Sequence, residues 1–173
     1  LALVLTSGSA RAITYNWNVP SGDWTAAGNW DPAGFGNLGT DNGIVGGPGG
    51  AETEEAIVDT TIFNPDLAVN GNGDPDSFSG GTLKAQVPGN ATAAGTLTLN
   101  GGRIQWNYAG GSSRSLTASI NVTSASVLED RAASIGRALL LSGSLSGSGD
   151  LTVLQTGGAS PGNIGLGSGG NLD

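Results

Sequence analysis

The chain of 173 residues is sized for one domain and carries 14 acidic against 6 basic residues, a net charge of −8, with 32 Gly. It has no Cys and no His, which removes disulfides, thiol nucleophiles, thiolate ligands, the usual general base and the usual metal ligand. The acidic balance repels phosphate backbones and disfavours nucleic-acid binding.

Leu1-Ala2-Leu3-Val4-Leu5 is an apolar run, followed by Thr6–Ser9 and then Ala10-Arg11-Ala12. Small side chains at Ala10 and Ala12 suit the pockets of a signal peptidase. Residues 1–12 therefore read as a partial secretion signal, with the mature chain starting near Ile13. Removing Arg11 leaves 5 basic against 14 acidic residues, a balance of −9. A buried first strand at Leu1–Leu5 is the alternative. No apolar stretch is long enough for a membrane-spanning helix.

Residues 13–55 form a Trp- and Gly-rich N-terminal cap in this reading. Ile13–Val19 alternates β-branched and aromatic residues as a strand does. Gly22-Asp23-Trp24 and Gly28-Asn29-Trp30-Asp31-Pro32 are turns that each present an aromatic ring. Trp17, Trp24 and Trp30 are candidates for a carbohydrate-binding face, because flat rings complement the C–H faces of pyranoses. The competing assignment places them over the open end of a solenoid, where a first coil must shield its core.

From residue 56 to 173 short apolar runs alternate with Gly, Asn and Ser turns, including Ile57-Val58, Thr82-Leu83, Thr96–Leu99, Arg103–Trp106, Ser119–Val122, Leu139–Leu141 and Leu151–Leu154. This predicts an all-β solenoid, sandwich or barrel, of which a right-handed parallel β-helix (solenoid) is the expected form. A spacing of 21 residues supports the solenoid. Ile57, Phe78, Leu99, Ile120 and Leu141 form one column, Ile62, Leu83, Ile104 and Ala125 a second, and Leu97, Ala118 and Leu139 a third. Trp106 alternates with Ile104 and reads as packing. Ser126-Val127-Leu128-Glu129 also fits a helix capping box, with Leu128, Ala132, Ile135 and Leu139 at helical spacing, so residues 126–141 stay open between helix and strand. The Gly-rich residues 155–173 predict no further coil. The strand Leu151–Leu154 is then an exposed edge open to self-association, and the coils read as truncated at the C-terminus.

Asn70, Asn72, Asp74 and Asp76 place a side-chain oxygen at every second position, as a hard cation requires, and form the candidate metal site, with calcium the candidate ion. An ordinary polar turn uses the same residues. Asp74 with Asp76 and Glu129 with Asp130 are the carboxylate pairs an acid–base mechanism would need, but each lies in a turn-like or ambiguous context without a basic partner of the kind a lyase uses, Lys84 being the only Lys. Without His, the many Ser residues lack their usual activating base. Asn90-Ala91-Thr92 and Asn121-Val122-Thr123 fit the glycosylation sequon.

The segment Trp17 to Pro32, with Trp-Asn, Gly-Asp-Trp and Gly-Asn-Trp followed by Asp-Pro, resembles the Trp-rich opening of bacterial secreted proteins of the autotransporter-passenger or PEP-CTERM type. Leu140 to Val153 is similar to the autotransporter-associated β-strand repeat, and Leu97-Thr98-Leu99-Asn100-Gly101-Gly102 resembles a weaker copy. The resemblance implies a parallel β-helix on the bacterial surface and supplies no catalytic residues. The functional expectation is a secreted or cell-surface structural or adhesive scaffold in an extracellular matrix, without catalysis, whose partners are extracellular polysaccharide or other surface proteins. The alternatives are a carbohydrate-binding module using the N-terminal Trp residues and a polysaccharide-degrading β-helix enzyme.

Overall fold

A computed structural model describes residues 13–33, 42–46, 54–58, 62–63, 66–85, 90–106, 113–131, 138–156 and 163–166. Strands dominate, because β-branched and Leu residues alternate with polar ones over short runs that Gly, Asn and Ser interrupt. In chain order they are β1 (Thr14–Trp17), β2 (Ser21–Asp23), β3 (Trp30–Asp31), β4 (Asn42–Val45), β5 (Glu54–Val58), β6 (Ile62–Phe63), β7 (Asp66–Asn70) and β8 (Gly81–Ala85). The series continues with β9 (Ala91–Asn100), β10 (Arg103–Trp106), β11 (Arg114–Ser124), β12 (Ser126–Asp130), β13 (Ala138–Ser142), β14 (Leu145–Gly147), β15 (Leu151–Gln155) and β16 (Asn163–Leu166).

These strands form a parallel β-solenoid of about four turns. The first sheet runs β16-β13-β11-β9-β7-β4-β1-β3, with β14 beside β11 and β6 beside β9; the second runs β15-β12-β10-β8-β5-β2. The chain visits each of the two sheets once per coil, and among the described strands every pairing is parallel except that of β1 with β3, which is antiparallel. The division drawn at residues 55/56 falls inside β5, since β1, β2 and β4 already belong to the two sheets. Residues 1–12, read as a secretion signal, lie outside the described residues. Among the described residues no helix is long and apolar enough to cross a membrane.

Inward side chains stack in columns, but not at the expected period. Leu67 pairs with Leu97, Leu97 with Ile120 and Ile120 with Leu145, in steps of 30, 23 and 25 residues. On the facing sheet Ala56, Leu83, Ile104 and Leu128 stack in steps of 27, 21 and 24. Only the step from Leu83 to Ile104 keeps the 21-residue spacing. Ile57 points outward on β5, Phe78 lies outside the strands, and Leu141 pairs with Leu116. What the core requires is strand register, and the connections absorb any difference in length. A single continuous core runs from Tyr15 to Leu141.

One open point is resolved and one expectation is revised. Ser126–Asp130 is strand β12, buried along its whole length, and Ala138–Ser142 is strand β13, so both ends of the 126–141 segment are extended. Residues 132–137 lie outside the described ones. Pairing on both sides, with β10 and β15, outweighs the local capping-box pattern. The Gly-rich tail also supplies a strand: β16 pairs in parallel with β13, Ala138 opposite Asn163 and Leu139 opposite Ile164. Backbone pairing needs no bulky side chain, so a low-propensity segment can still extend the sheet.

In the later coils the corners leading from the first sheet to the second are tight. Gly101 and Gly102 alone join β9 to β10, and Ala125 alone joins β11 to β12. Gly101 sits at φ +82, and a Cβ there would run into the Gly71 carbonyl of the coil before it. Glycine is needed at this corner both for its conformation and for the close approach of the two backbones. Beside the corner the Asn100 amide donates to Asn70 Oδ1 at 3.2 Å, and the Ser124 hydroxyl donates to Asn100 Oδ1 at 3.2 Å.

Candidate functional site: a charged ladder on the second sheet

The three N-terminal tryptophans are core residues. Trp17, Trp24 and Trp30 expose 4%, 0% and 2% of their surface. Trp24 stacks on Phe63 with ring centroids 5.1 Å apart, Trp30 lies 5.4 Å from the same ring, and Trp17 meets Trp30 edge-on at 4.9 Å. The Trp30 indole N–H donates to the Trp24 carbonyl at 2.9 Å. Gly43 on β4 leaves the room this cluster fills, since a Cβ there would press on Leu67, Phe63 and Trp30. A sugar-stacking face needs rings open to solvent, so the carbohydrate-binding assignment of these residues is withdrawn. Their area is spent on one another and on the first coils. Trp106 is buried on the inward face of β10.

The Asn70–Asp76 segment folds back on itself. Asn72 Oδ1 accepts from the Asp74 N–H at 3.2 Å and the Ser79 N–H at 3.1 Å, and its amide donates to the Ser77 carbonyl. Asp74 Oδ1 accepts from the Asp76 and Ser77 N–H groups, and its Oδ2 accepts from the Ser77 hydroxyl at 2.6 Å. The Ser77 hydroxyl, followed by the Asp76 and Ser77 N–H groups, holds the Asp74 carboxyl below its ordinary value. Asn70 sits apart from the other three, at the end of β7 against Asn100. The oxygens of Asn72 and Asp74 thus serve the backbone of the turn. Millimolar calcium is expected to leave the melting temperature unchanged. A ligand at 100 times its Kd would add about 2.7 kcal/mol, so a rise of several degrees that Asp74→Ala abolishes would overturn this.

The main concentration of interacting charges lies on the outward face of the second sheet. Parallel register stacks Glu55, Thr82, Arg103 and Val127 in one outward column, and Ile57, Lys84, Gln105 and Glu129 in the next. Lys84 Nζ meets Glu55 Oε2 at 2.9 Å. Glu129 is the hub. Its Oε2 lies 3.0 Å from an Arg103 guanidinium nitrogen and accepts from the Gln105 amide at 2.7 Å; its Oε1 accepts from the Thr156 hydroxyl at 2.6 Å and lies 3.6 Å from Arg131 Nε. Arg103 also donates to Thr82 Oγ1 at 3.2 Å and lies 4.3 Å from the centre of the Phe78 ring, a cation–π contact.

Burial pushes the Glu129 carboxyl up, but hydrogen bonds from Thr156 and Gln105, with the charges of Arg103 and Arg131, together hold it below its ordinary value. Burial lowers the Arg103 value and Glu129 opposes that; the guanidinium stays charged at any physiological pH. Three of the four basic residues among those described, Lys84, Arg103 and Arg131, belong to this ladder.

The carboxylate pairs considered from sequence do not assemble into acid–base pairs. Glu129 points outward and Asp130 inward, because neighbouring residues of a strand face opposite sides. Asp74 is occupied within its turn. Of the basic partners of Glu129, Arg103 is brought from β10 by register, and Arg131 lies two residues on in sequence. Alternation alone offered the clue, since Arg103, Gln105 and Glu129 are polar at the outward positions of otherwise apolar runs. The ladder ties β10 and β12 to the residue after β15 and presents no free carboxylate oxygen at Glu129. No family model, curated protein or solved structure matches this chain.

Proposed function

We propose that the chain is a non-catalytic structural scaffold, a stiff solenoid segment displayed outside the cell or on its surface. The observation that carries this reading is the way its reactive groups are used. The Glu129 carboxylate is engaged at both oxygens by Arg103, Gln105, Thr156 and Arg131, and the three N-terminal tryptophans are packed into the first coils. Groups that would bind or transform a ligand are instead committed to holding one coil on the next. A repeat array stabilised by contacts between neighbours suits a spacer or adhesive support. The surface location rests on the resemblance of Trp17–Pro32 and Leu140–Val153 to secreted bacterial proteins of the autotransporter and PEP-CTERM types.

The test has two arms. Protease treatment of intact source cells should remove the protein while cytoplasmic markers survive. Purified protein should release no product from uronic-acid polymers. Protection in intact cells would overturn the location, and product release would overturn the non-catalytic scaffold role.

A further inference from the structure

Four Asn-Gly dipeptides occur in the chain: Asn42-Gly43, Asn70-Gly71, Asn72-Gly73 and Asn100-Gly101. Such a pair can react with itself, because glycine has no Cβ to keep its backbone nitrogen away from the side-chain carbonyl carbon of the preceding Asn. The nitrogen gives up its proton to water and bonds to Asn Cγ. The Cγ–Nδ2 bond then breaks, and the amide takes up a proton and leaves as ammonia. Water opens the resulting five-membered imide ring at either carbonyl, which leaves Asp or isoaspartate. A glycine N–H held in a hydrogen bond is kept from starting this sequence.

Three of the four dipeptides meet at one corner, where register places Asn70 beside Asn100, and all three glycine N–H groups are engaged there. The Gly71 N–H donates to the Asn100 carbonyl at 3.1 Å, and the Gly73 N–H donates to the Gly101 carbonyl at 2.9 Å. The Gly101 N–H donates to the Ser126 hydroxyl oxygen at 3.1 Å, and that hydroxyl donates to the Ser124 carbonyl at 2.9 Å. Protection therefore runs in series from coil to coil. The Asn100 and Gly101 carbonyls hold the two earlier sites, and one side chain of the next coil, Ser126, holds Gly101. Ser126 is wholly buried, so bulk water does not stand in for its hydroxyl. Asn100 is exposed to the water that the reaction consumes.

We propose that Asn100-Gly101 is a latent deamidation site kept closed by the Ser126 hydroxyl, and that its conversion is an irreversible mark of this corner having opened. The product does not fit the closed corner. Asp at position 100 lacks the amide that donates to Asn70 Oδ1 at 3.2 Å and sets a carboxylate against that oxygen. Isoaspartate routes the main chain through the former side chain. It adds a backbone atom to a connection of only two residues, where register depends on length. Reclosing is therefore hindered, and Gly71 and Gly73 lose their acceptors in turn. This inference is independent of the scaffold reading.

Peptide mass spectrometry reads the sites, since trypsin cuts after Lys84 and Arg103 and so isolates Asn100 from the other three. Incubated near neutral pH, the folded natural chain should keep Asn100, whereas the same chain held in denaturant should convert it. Ser126→Ala should speed conversion of Asn100 in the folded protein about tenfold, the rate equivalent of one lost hydrogen bond. Asn70 and Asn72 should follow it. Ser126→Thr, which keeps the hydroxyl, should restore the slow rate. Asn42, inside β4 and away from the corner, is the internal reference and should not respond. Equal rates in the folded and denatured natural chain would overturn the proposal, and that comparison needs no variant. So would an Asn100 indifferent to Ser126→Ala. A variant that speeds Asn42 as much as Asn100 would also overturn it, by showing a loosened fold rather than a released corner.

Discussion

Truncating Trp24 to alanine should cost about 4 kcal/mol of folding stability, within the range for removing a large aromatic ring from a packed core. The ring is fully buried and stacked on Phe63, which also packs against Trp30, so its loss unsupports both neighbours. In a chain of this size each kcal/mol moves the melting temperature by roughly 2–4 °C, and thermal denaturation will read the change directly. The damage should begin at one end. Solenoid coils are stabilised by their neighbours, so hydrogen exchange should accelerate first in β1, β2 and β4 and least in β12 and β13. Trp24→Phe, which keeps a ring against Phe63, should recover much of the loss. A cost below about 1 kcal/mol for Trp24→Ala would show that the aromatic cluster does not close the core.

Glu129→Ala should cost about 3 kcal/mol, because it strands the Arg103 guanidinium in a mostly buried position and frees Thr156 and Gln105. Breaking a buried pair from one side typically costs 3–5 kcal/mol, and the partial exposure of Arg103 places this case at the lower end. Glu55→Ala breaks the more exposed pair with Lys84 and should cost under about 1 kcal/mol. Acid should narrow the gap between the natural chain and the Glu129 variants. The folded Glu129 carboxyl lies below its ordinary value, so its contribution is complete above the unfolded carboxylate value and is lost as pH falls through the folded one. The melting temperature of the natural chain should therefore fall with acidification more steeply than that of Glu129→Gln. Parallel curves for the two proteins would remove Glu129 from the acid response.

The solenoid was legible in the sequence because its cause is local. In β9 and β11 a small or apolar residue at every second position is enough to mark a strand with one face inside. The period was not legible, because coil length is set by connections that vary while register does not. Leu67, Leu97 and Ile120 stack although 30 and then 23 residues separate them. The charged ladder failed to appear for the same reason: Arg103 and Glu129 meet only once β10 and β12 are in register. Trp17, Trp24 and Trp30 were marked as important by their type, but type does not say whether a ring faces water. β16 was missed because the Gly-rich sequence around it carries weak strand propensity, while the pairing with β13 is made backbone to backbone.

The corners of the later coils can absorb little change. Gly101-Gly102, Ala125 and Ser148-Gly149-Asp150 are all that join the first sheet to the second there. One extra residue at Ala125 would displace every outward side chain of β12 to the core side and scatter the Glu129 ladder. The row of corners thus works as a ratchet that counts residues: it holds each coil in phase with the one before, and a single miscount swaps the faces of the strand beyond it.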